Sequence, residues 1–203
     1  MAEVAANVAL DAPDGTTVLV LASAIFVFLM TIPGLALFYG SLVSRKNLID
    51  TMLQSVVLTG TIPLVYWLIG YSLCFSTPSN GFIGGTERAF LNWGPASVYA
   101  GVPEGAWCIF QLTFGLITAA IAVGAVAERT FLWPIVVLAN IWFLIVYCPI
   151  CHMVWGGGIL QQWGVLDTAG GLVVETASGV TALTLCYWVG SRKQKGDEPD
   201  KEA

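Results

Sequence analysis

The sequence predicts an all-α membrane protein that crosses the bilayer five times, and two observations lead to this prediction. The 203 residues are 57% hydrophobic and 10% charged, with a mean hydropathy of +0.79, whereas a soluble domain carries about 25% charged residues. Five apolar stretches also approach the roughly 20 residues that a helix needs to span the hydrocarbon core of a membrane.

These stretches divide the chain into three parts. Residues 1–16 are polar and acidic, lack the basic start of a secretory signal peptide, and indicate an extracytoplasmic arm. Residues 17–190 form the transmembrane domain, and the charged residues 191–203 have a composition typical of a disordered cytoplasmic tail. The predicted spans cover about 17–39, 48–75, 105–127, 131–153 and 170–190.

Prolines and glycines interrupt several spans, among them Pro33 and Pro63. Such breaks are tolerated where neighbouring helices satisfy the freed backbone groups, so the spans should pack as a bundle. Small residues of the fifth span, such as Gly171 and Gly179, permit close contact between helices. The connection 76–104 is rich in glycine, proline and asparagine, and we expect it to cover the outer surface.

The distribution of basic residues predicts the orientation in the membrane. Seven of the eight lysines and arginines follow the first, third or fifth span and would lie on the same side of the membrane: Arg45, Lys46, Arg129, Arg192, Lys193, Lys195 and Lys201. Only Arg88, which follows the second span, would lie on the other side. Cytoplasmic loops carry the excess of basic residues. We therefore expect an outer N-terminus and a cytoplasmic C-terminus, in the cell (inner) membrane.

The composition also argues against several functional classes. The sequence has no basic patch for nucleic acid, and no P-loop, dinucleotide fingerprint or zinc-binding spacing. No nucleophile–base pair is present, so we expect neither an enzyme nor a cofactor or metal. The five cysteines, including Cys148 and Cys151 of the CPIC sequence, lie in or beside apolar segments and should be small buried residues.

Unusual residues are concentrated in the stretch 151–179. It contains the only histidine, His152, a Trp-Gly-Gly-Gly break that begins at Trp155, and two acids, Asp167 and Glu175. A carboxylate at membrane depth is costly unless it is paired, protonated or hydrated, and it usually marks a pathway. Asp167 opens a helix, where capping of free N–H groups is its simplest role.

An aromatic cluster of Phe110, Phe114 and Trp155 is expected near this stretch. Phe110 and Phe114 are four residues apart on the third span and therefore share one helix face. The faces of such rings hold small cations, at about 0.5–2 kcal/mol per contact. Aromatic residues at helical spacing also serve in cores and membrane-interface belts, so both cation binding and packing remain open.

Five segments resemble the ammonium transporter/Rhesus family in order and spacing, over residues 18–192. They are TIPGLALFYGSLVSRKN (31–47), WLIGYSLCF (67–75), FQLTFGLIT (110–118), GAVAERTFLWP (124–134) and CHMVWGGGILQQWGVLDTAGGLVV (151–174). The match falls in the first five of the family's eleven spans. The resemblance implies one inverted-repeat half of a channel-like transporter, which is trimeric and takes ammonium or ammonia.

The resemblance also implies roles for individual residues. Trp155 and Phe114 match an outer ammonium site, Phe110 lies beside it, and Phe114 matches one of two stacked phenylalanines that close the pore. Asp167 matches an aspartate considered necessary for substrate recruitment, although helix capping remains the favoured explanation. His152 matches an outer-side histidine that is packed and hydrogen-bonded.

Glu175 departs from the commoner family pattern, which has a pore histidine at this place; some fungal relatives carry an acid there. A neutral imidazole can pass ammonia or relay a proton, whereas a carboxylate can attract a cation or hold a proton. A purely structural, hydrogen-bonded glutamate is the alternative. We expect the carboxyl group to point to a cavity rather than to lipid.

The family's second half, with its partner histidine, phenylalanine and serine, has no counterpart in these 203 residues. The first functional hypothesis is a half-length transporter that conducts ammonium or ammonia in an assembled pore, with a separate second-half chain or with further copies of itself. The second is a non-conducting binding or sensing module, and the third a regulatory subunit of full-length transporters.

Overall fold

The computed structural model describes residues 14–77 and 80–191. Within these ranges, five helices are long and apolar enough to cross a membrane: α1 (Gly15–Ser41), α2 (Arg45–Phe75), α3 (Glu104–Gly124), α4 (Leu132–Gln162) and α5 (Gly171–Val189). The predicted all-α membrane fold is therefore confirmed. Most of the predicted N-terminal arm, residues 1–13, and of the tail, residues 192–203, lies outside the described residues.

The helix ends differ from the predicted spans for local reasons. Helix α1 begins at Gly15, within the predicted arm, because Asp14 caps it: Asp14 Oδ1 accepts a hydrogen bond from the Thr17 backbone N–H at 2.7 Å. This hydrogen bond holds the pKa of the Asp14 carboxyl below its usual value. Helix α3 ends at Gly124, before the predicted end, because the chain turns there and Glu128 takes a positive φ of 66°.

Wider, π-helical turns interrupt four of the five helices, at Met30–Leu35, Tyr66–Gly70, Phe143–Tyr147 and Gly171–Thr176. The first contains Pro33, which cannot donate a backbone hydrogen bond. The last forms the start of α5 and carries Glu175. Turns of this kind are frequent at functional sites, because they redirect side chains within a helix.

Helix α3 lies at the centre of the bundle. In its most apolar stretch 67% of the residues are buried, against 11–39% in the other four helices. Phe143 of α4 fits between Gly70 of α2 and Gly115 of α3, where an added methyl group would come within 2.8 Å and 2.7 Å of its ring. Because these two glycines have no side chain, the helices can approach one another closely.

The connection between α2 and α3 packs against the ends of these helices, and an ion pair with a buried carboxylate holds it there. Strands β1 (Val98–Tyr99) and β2 (Val102–Pro103) form a small antiparallel hairpin within it. Arg88 Nε lies 2.9 Å from Oε1 of Glu104, whose side chain is fully buried. The Tyr71 hydroxyl donates to the same oxygen at 2.7 Å, and the Ser97 hydroxyl donates to Oε2.

The α1–α2 connection, the α3–α4 connection and the residues after α5 meet at the opposite end of the bundle. Glu128 Oε1 accepts hydrogen bonds from the Ser44 backbone N–H and from Asn47 Nδ2. Arg129 Nη1 donates to the Gly190 carbonyl beyond α5. Arg129 therefore lies at the same end of the bundle as the α1–α2 connection, and Arg88 lies at the other end.

Candidate functional site

An aromatic cavity of about 510 Å³ opens beside the N-terminal end of α3, against the connection between α4 and α5. Its walls include Tyr99, Trp107, Phe110, Gln111, Phe114 and Trp155, and Asp167 lies at its edge. The structure thus places the three residues of the predicted aromatic cluster around one cavity. We refer to it below as the aromatic cavity.

The rings of the predicted cluster meet edge to face. The centroids of Phe110 and Phe114 lie 4.9 Å apart with an interplanar angle of 83°. Phe114 and Trp155 lie 5.6 Å apart at 62°. Edge-to-face contacts are a favoured geometry for aromatic pairs, and the negative quadrupole of a ring face attracts a cation.

Two further aromatic residues extend this wall. Tyr99 of the β1–β2 hairpin stacks on Trp107, with ring centroids 5.4 Å apart at an interplanar angle of 23°, and the Trp107 and Phe110 centroids lie 6.2 Å apart. The Arg88 guanidinium lies over the Tyr99 ring at 5.5 Å. Burial raises the pKa of the Tyr99 phenol and the Arg88 charge partly offsets this, so the phenol is neutral at physiological pH.

Sequence reasoning missed both of these residues. Trp107 lies three residues before Phe110 and seven before Phe114, so helical spacing alone could have placed it on the same face of α3. Tyr99 comes from an irregular connection and carries no such periodic signal. Only the fold of the hairpin brings it to the cavity.

Asp167 positions Trp155 and the start of α5 together. The Trp155 indole Nε1–H donates to the Asp167 carbonyl at 2.8 Å. The Asp167 carboxylate accepts, through Oδ2, the backbone N–H groups of Leu172 at 2.9 Å and Val173 at 3.0 Å. Backbone N–H groups in the first turn of a helix have no partner within the helix, and a negative charge near them is favourable. Asp167 therefore holds both the Trp155 ring in the cavity wall and the start of α5 in position.

His152 lies behind the cavity rather than in its wall. It is fully buried, and its Nδ1–H donates to the Cys74 carbonyl at 2.8 Å. Within the described residues, Nε2 is buried without a hydrogen-bond partner. This hydrogen bond joins α4 to the end of α2.

Glu175 lies apart from the aromatic cavity. It stands about 6 Å beyond the start of α5, at a rise of 1.5 Å per residue, and its side chain is exposed on the described part of the molecule. Among the described residues, its carboxylate has no hydrogen-bond partner. The Tyr39 phenol of α1 lies within electrostatic range of it. The side chain is therefore on an open face of the half-bundle.

No cluster of three or more His, Cys, Asp or Glu residues able to hold a metal is found among residues 14–77 and 80–191. Four of the five cysteines are buried and all are free thiols: Cys74, Cys108, Cys148, Cys151 and Cys186. The polar side chains that line the aromatic cavity are those of Tyr99, Trp107, Gln111, Trp155, Gln161, Asp167 and Thr168.

Comparison with known proteins links this geometry to a family. The model of the Ammonium Transporter Family matches residues 18–203. An ammonium transporter of Bacillus subtilis (strain 168) is 42% identical over 182 residues, which are 88% of this chain and 45% of the relative. The chain thus spans less than half the length of this curated relative.

Solved structures agree. Candida albicans Mep2 superposes with a TM-score of 0.75 at 34% identity, covering 87% of this chain and 39% of that one. A protein described as a sensor Amt protein superposes with a TM-score of 0.79 at 27% identity, covering 95% and 46%. With its five apolar helices and its motifs in family order, the chain is an integral membrane protein that belongs to the ammonium transporter family.

Proposed function

We propose that this chain forms one half of an ammonium-conducting pore, with the aromatic cavity as its outer binding site and Glu175 farther along the path. The observation that carries the proposal is the convergence of Phe110, Phe114 and Trp155 around one cavity. In a transporter family, a cavity with several ring faces is suited to a small cation. Each such contact contributes about 0.5–2 kcal/mol.

The electrostatics of the outer end support a cationic guest. The Arg88 guanidinium lies 5.5 Å from the centre of the Tyr99 ring in the cavity wall, and the buried Glu104 carboxylate pairs with it at 2.9 Å. The pair leaves little net repulsion for an arriving cation. The Asp167 carboxylate adds a negative charge at the edge of the cavity, although it is also engaged in capping α5.

Glu175 indicates where the rest of the pore lies. An acid that faces lipid within a membrane-spanning helix is costly unless it is paired, protonated or hydrated. The exposed face of α5 also includes Gly171 and Gly179, which allow a neighbouring helix to approach closely. We infer that this face is covered by the remaining pore wall. That wall comes from a further polypeptide segment or chain, or from copies of this chain, within an oligomer that is a trimer by family resemblance.

The orientation belongs to the same proposal. An outer N-terminus and a cytoplasmic C-terminus place the aromatic cavity on the outer side of the cell membrane, where substrate arrives. Arg45, Lys46 and Arg129 then lie on the cytoplasmic side, as the excess of basic residues there requires.

Ammonium binding tests the outer site. Trp155→Leu removes one ring face and should weaken ammonium or methylammonium binding by about 0.5–2 kcal/mol, measured by calorimetry on folded protein in nanodiscs. Trp163→Leu is the matched control, because Trp163 is 72% exposed and does not line the aromatic cavity. Unchanged affinity in the Trp155 variant would show that the rings only pack.

Transport assays test Glu175. Glu175→Gln should leave assembly intact and change ammonium-dependent current or uptake and its pH profile, because the neutral amide can neither release nor hold the same proton. Glu175→His should restore the commoner family chemistry only when a second half supplies the other histidine. Identical currents and pH profiles in all three proteins, with transport present, would remove Glu175 from the mechanism.

A second function is a non-conducting ammonium-binding or sensing module. It is favoured by the likeness to the sensor Amt protein, whose match covers 95% of this chain. A combination of transport and binding assays distinguishes the two functions. Absence of transport with every candidate second half, together with ammonium binding that depends on Trp155, would support the sensing module.

A further inference from the structure

Arg88 joins three elements beside the aromatic cavity, although it does not line the cavity itself. Its guanidinium donates through Nη1 to the Phe75 carbonyl at the end of α2, at 2.6 Å. Its Nε lies 2.9 Å from Glu104 Oε1 at the start of α3. The same guanidinium lies over the ring of Tyr99 in the β1–β2 hairpin, 5.5 Å from the ring centre. One side chain thus holds the hairpin relative to the ends of two membrane-spanning helices.

The β1–β2 hairpin depends on such contacts, because its backbone gives it little support. The two strands pair over two residues each, and a two-stranded hairpin is marginally stable by itself. The Tyr99 ring stacks on Trp107 and meets Phe75 edge to face, with centroids 5.5 Å apart at an interplanar angle of 75°. Arg88 adds a charged contact to this ring that is itself anchored on α2 and α3.

We propose that Arg88 is a positioning residue for the aromatic cavity: its guanidinium holds the Tyr99 ring in place and thereby maintains the hairpin as one wall of the cavity. The inference rests on the proposed function of the cavity as a cation site. Arginine suits this role because its planar guanidinium forms hydrogen bonds in its own plane while an aromatic ring stacks on its face. Arg88 acts through Tyr99 and needs no contact with the guest.

The charge of Arg88 and its positioning role predict opposite effects on cation binding. A positive side chain near the cavity repels a cation, so its removal would strengthen binding if charge alone mattered. A wall that is already ordered spares the guest the cost of immobilising it, so release of the wall should weaken binding and speed dissociation. The sign of the change in affinity therefore distinguishes the two.

The test removes the ion pair as a unit from the full chain in nanodiscs. Arg88→Met together with Glu104→Gln, the paired variant, leaves the net charge unchanged and leaves neither charge unpaired. We expect ammonium and methylammonium, measured by calorimetry, to bind about three- to tenfold more weakly, the range expected when a side chain must be ordered on binding. Tm is measured in parallel, so that affinities are compared between folded proteins.

A double-mutant cycle tests whether Arg88 acts through Tyr99. Tyr99→Leu removes the ring that Arg88 holds and should weaken binding by a similar factor. Adding the paired variant to Tyr99→Leu should then change the affinity by less than about twofold, because residues that act through one contact are not additive. A merely structural role of the ion pair would lower Tm and add its loss of affinity to that of Tyr99→Leu.

Arg88→Lys provides an independent test if the paired variant does not fold. Lysine keeps the charge, but its ammonium group cannot reproduce the planar fork of the guanidinium or its stacking on the ring. Ammonium should again bind more weakly, by about twofold or more.

The inference is overturned if the paired variant binds ammonium as tightly as the unmodified chain or more tightly, if Arg88→Lys leaves the affinity unchanged, or if the losses in the cycle add fully. Ammonium binding that Trp155→Leu weakens and the paired variant leaves unchanged overturns this inference alone and keeps the proposed site. Absence of ammonium binding by the unmodified chain overturns the proposed site and this inference together.

Discussion

The buried ion pair between Arg88 and Glu104 makes a sharp prediction about stability. Glu104→Gln keeps the shape of the side chain and removes its charge, which leaves the Arg88 guanidinium without its carboxylate. Glu104 is fully buried and accepts hydrogen bonds from Tyr71 and Ser97 as well as pairing with Arg88. The variant should therefore be less stable, since an uncompensated charge remains in a largely buried position.

The size of the effect follows from the exposure of the two partners. Breaking a buried pair by removing one partner costs about 3–5 kcal/mol. The Arg88 side chain is 24% exposed, so water relieves part of the penalty and we expect about 3 kcal/mol, the low end of that range. For a chain of this size, this corresponds to a fall in Tm of about 6–12 °C.

The assay is thermal unfolding of the detergent-solubilised protein, followed by tryptophan fluorescence. Glu87→Gln is the matched control, because Glu87 is an exposed acid in the same connection and its loss should leave Tm nearly unchanged. Adding Arg88→Met to Glu104→Gln should recover part of the lost stability, since the unpaired charge is then gone. A Glu104→Gln protein as stable as the Glu87→Gln control would refute this reasoning.

Three other predictions concern the helix cap, a close contact and the orientation. Asp167→Ala should cost about 1 kcal/mol in thermal stability, because the α5 start loses an acceptor for two N–H groups; an unchanged Tm would contradict the cap. Gly156→Ala should lower Tm, because the added methyl group would lie 1.9 Å from the Cys74 carbonyl oxygen. Gly60→Ala is the control and should leave Tm unchanged, because no atom lies within 4 Å of the added methyl group. Equal Tm values for the two variants would contradict the close contact at Gly156. A C-terminal reporter should be active only on the cytoplasmic side, and activity outside or on both sides would overturn the proposed orientation.

The sequence by itself determined the fold and indicated several residues of the aromatic cavity. Hydropathy and length are properties of contiguous residues, so they indicated five spans without knowledge of their packing. Phe110 and Phe114 are four residues apart, so helical periodicity alone places their rings on one face of α3. Asp167 was likewise readable as a cap, since its partners Leu172 and Val173 follow within six residues. Family motifs then connected these residues with Trp155.

The tertiary structure alone decided which distant residues meet. Tyr99 reaches the cavity, and Arg88 reaches Glu104, through a connection without periodic signal. Whether a buried polar atom finds a partner depends on the same packing, and Gln111 Oε1 has none among the described residues. The open face that carries Glu175 also depends on how α5 packs. The physical reason is that backbone periodicity is set residue by residue, whereas burial and partner choice depend on the packing of whole helices against one another.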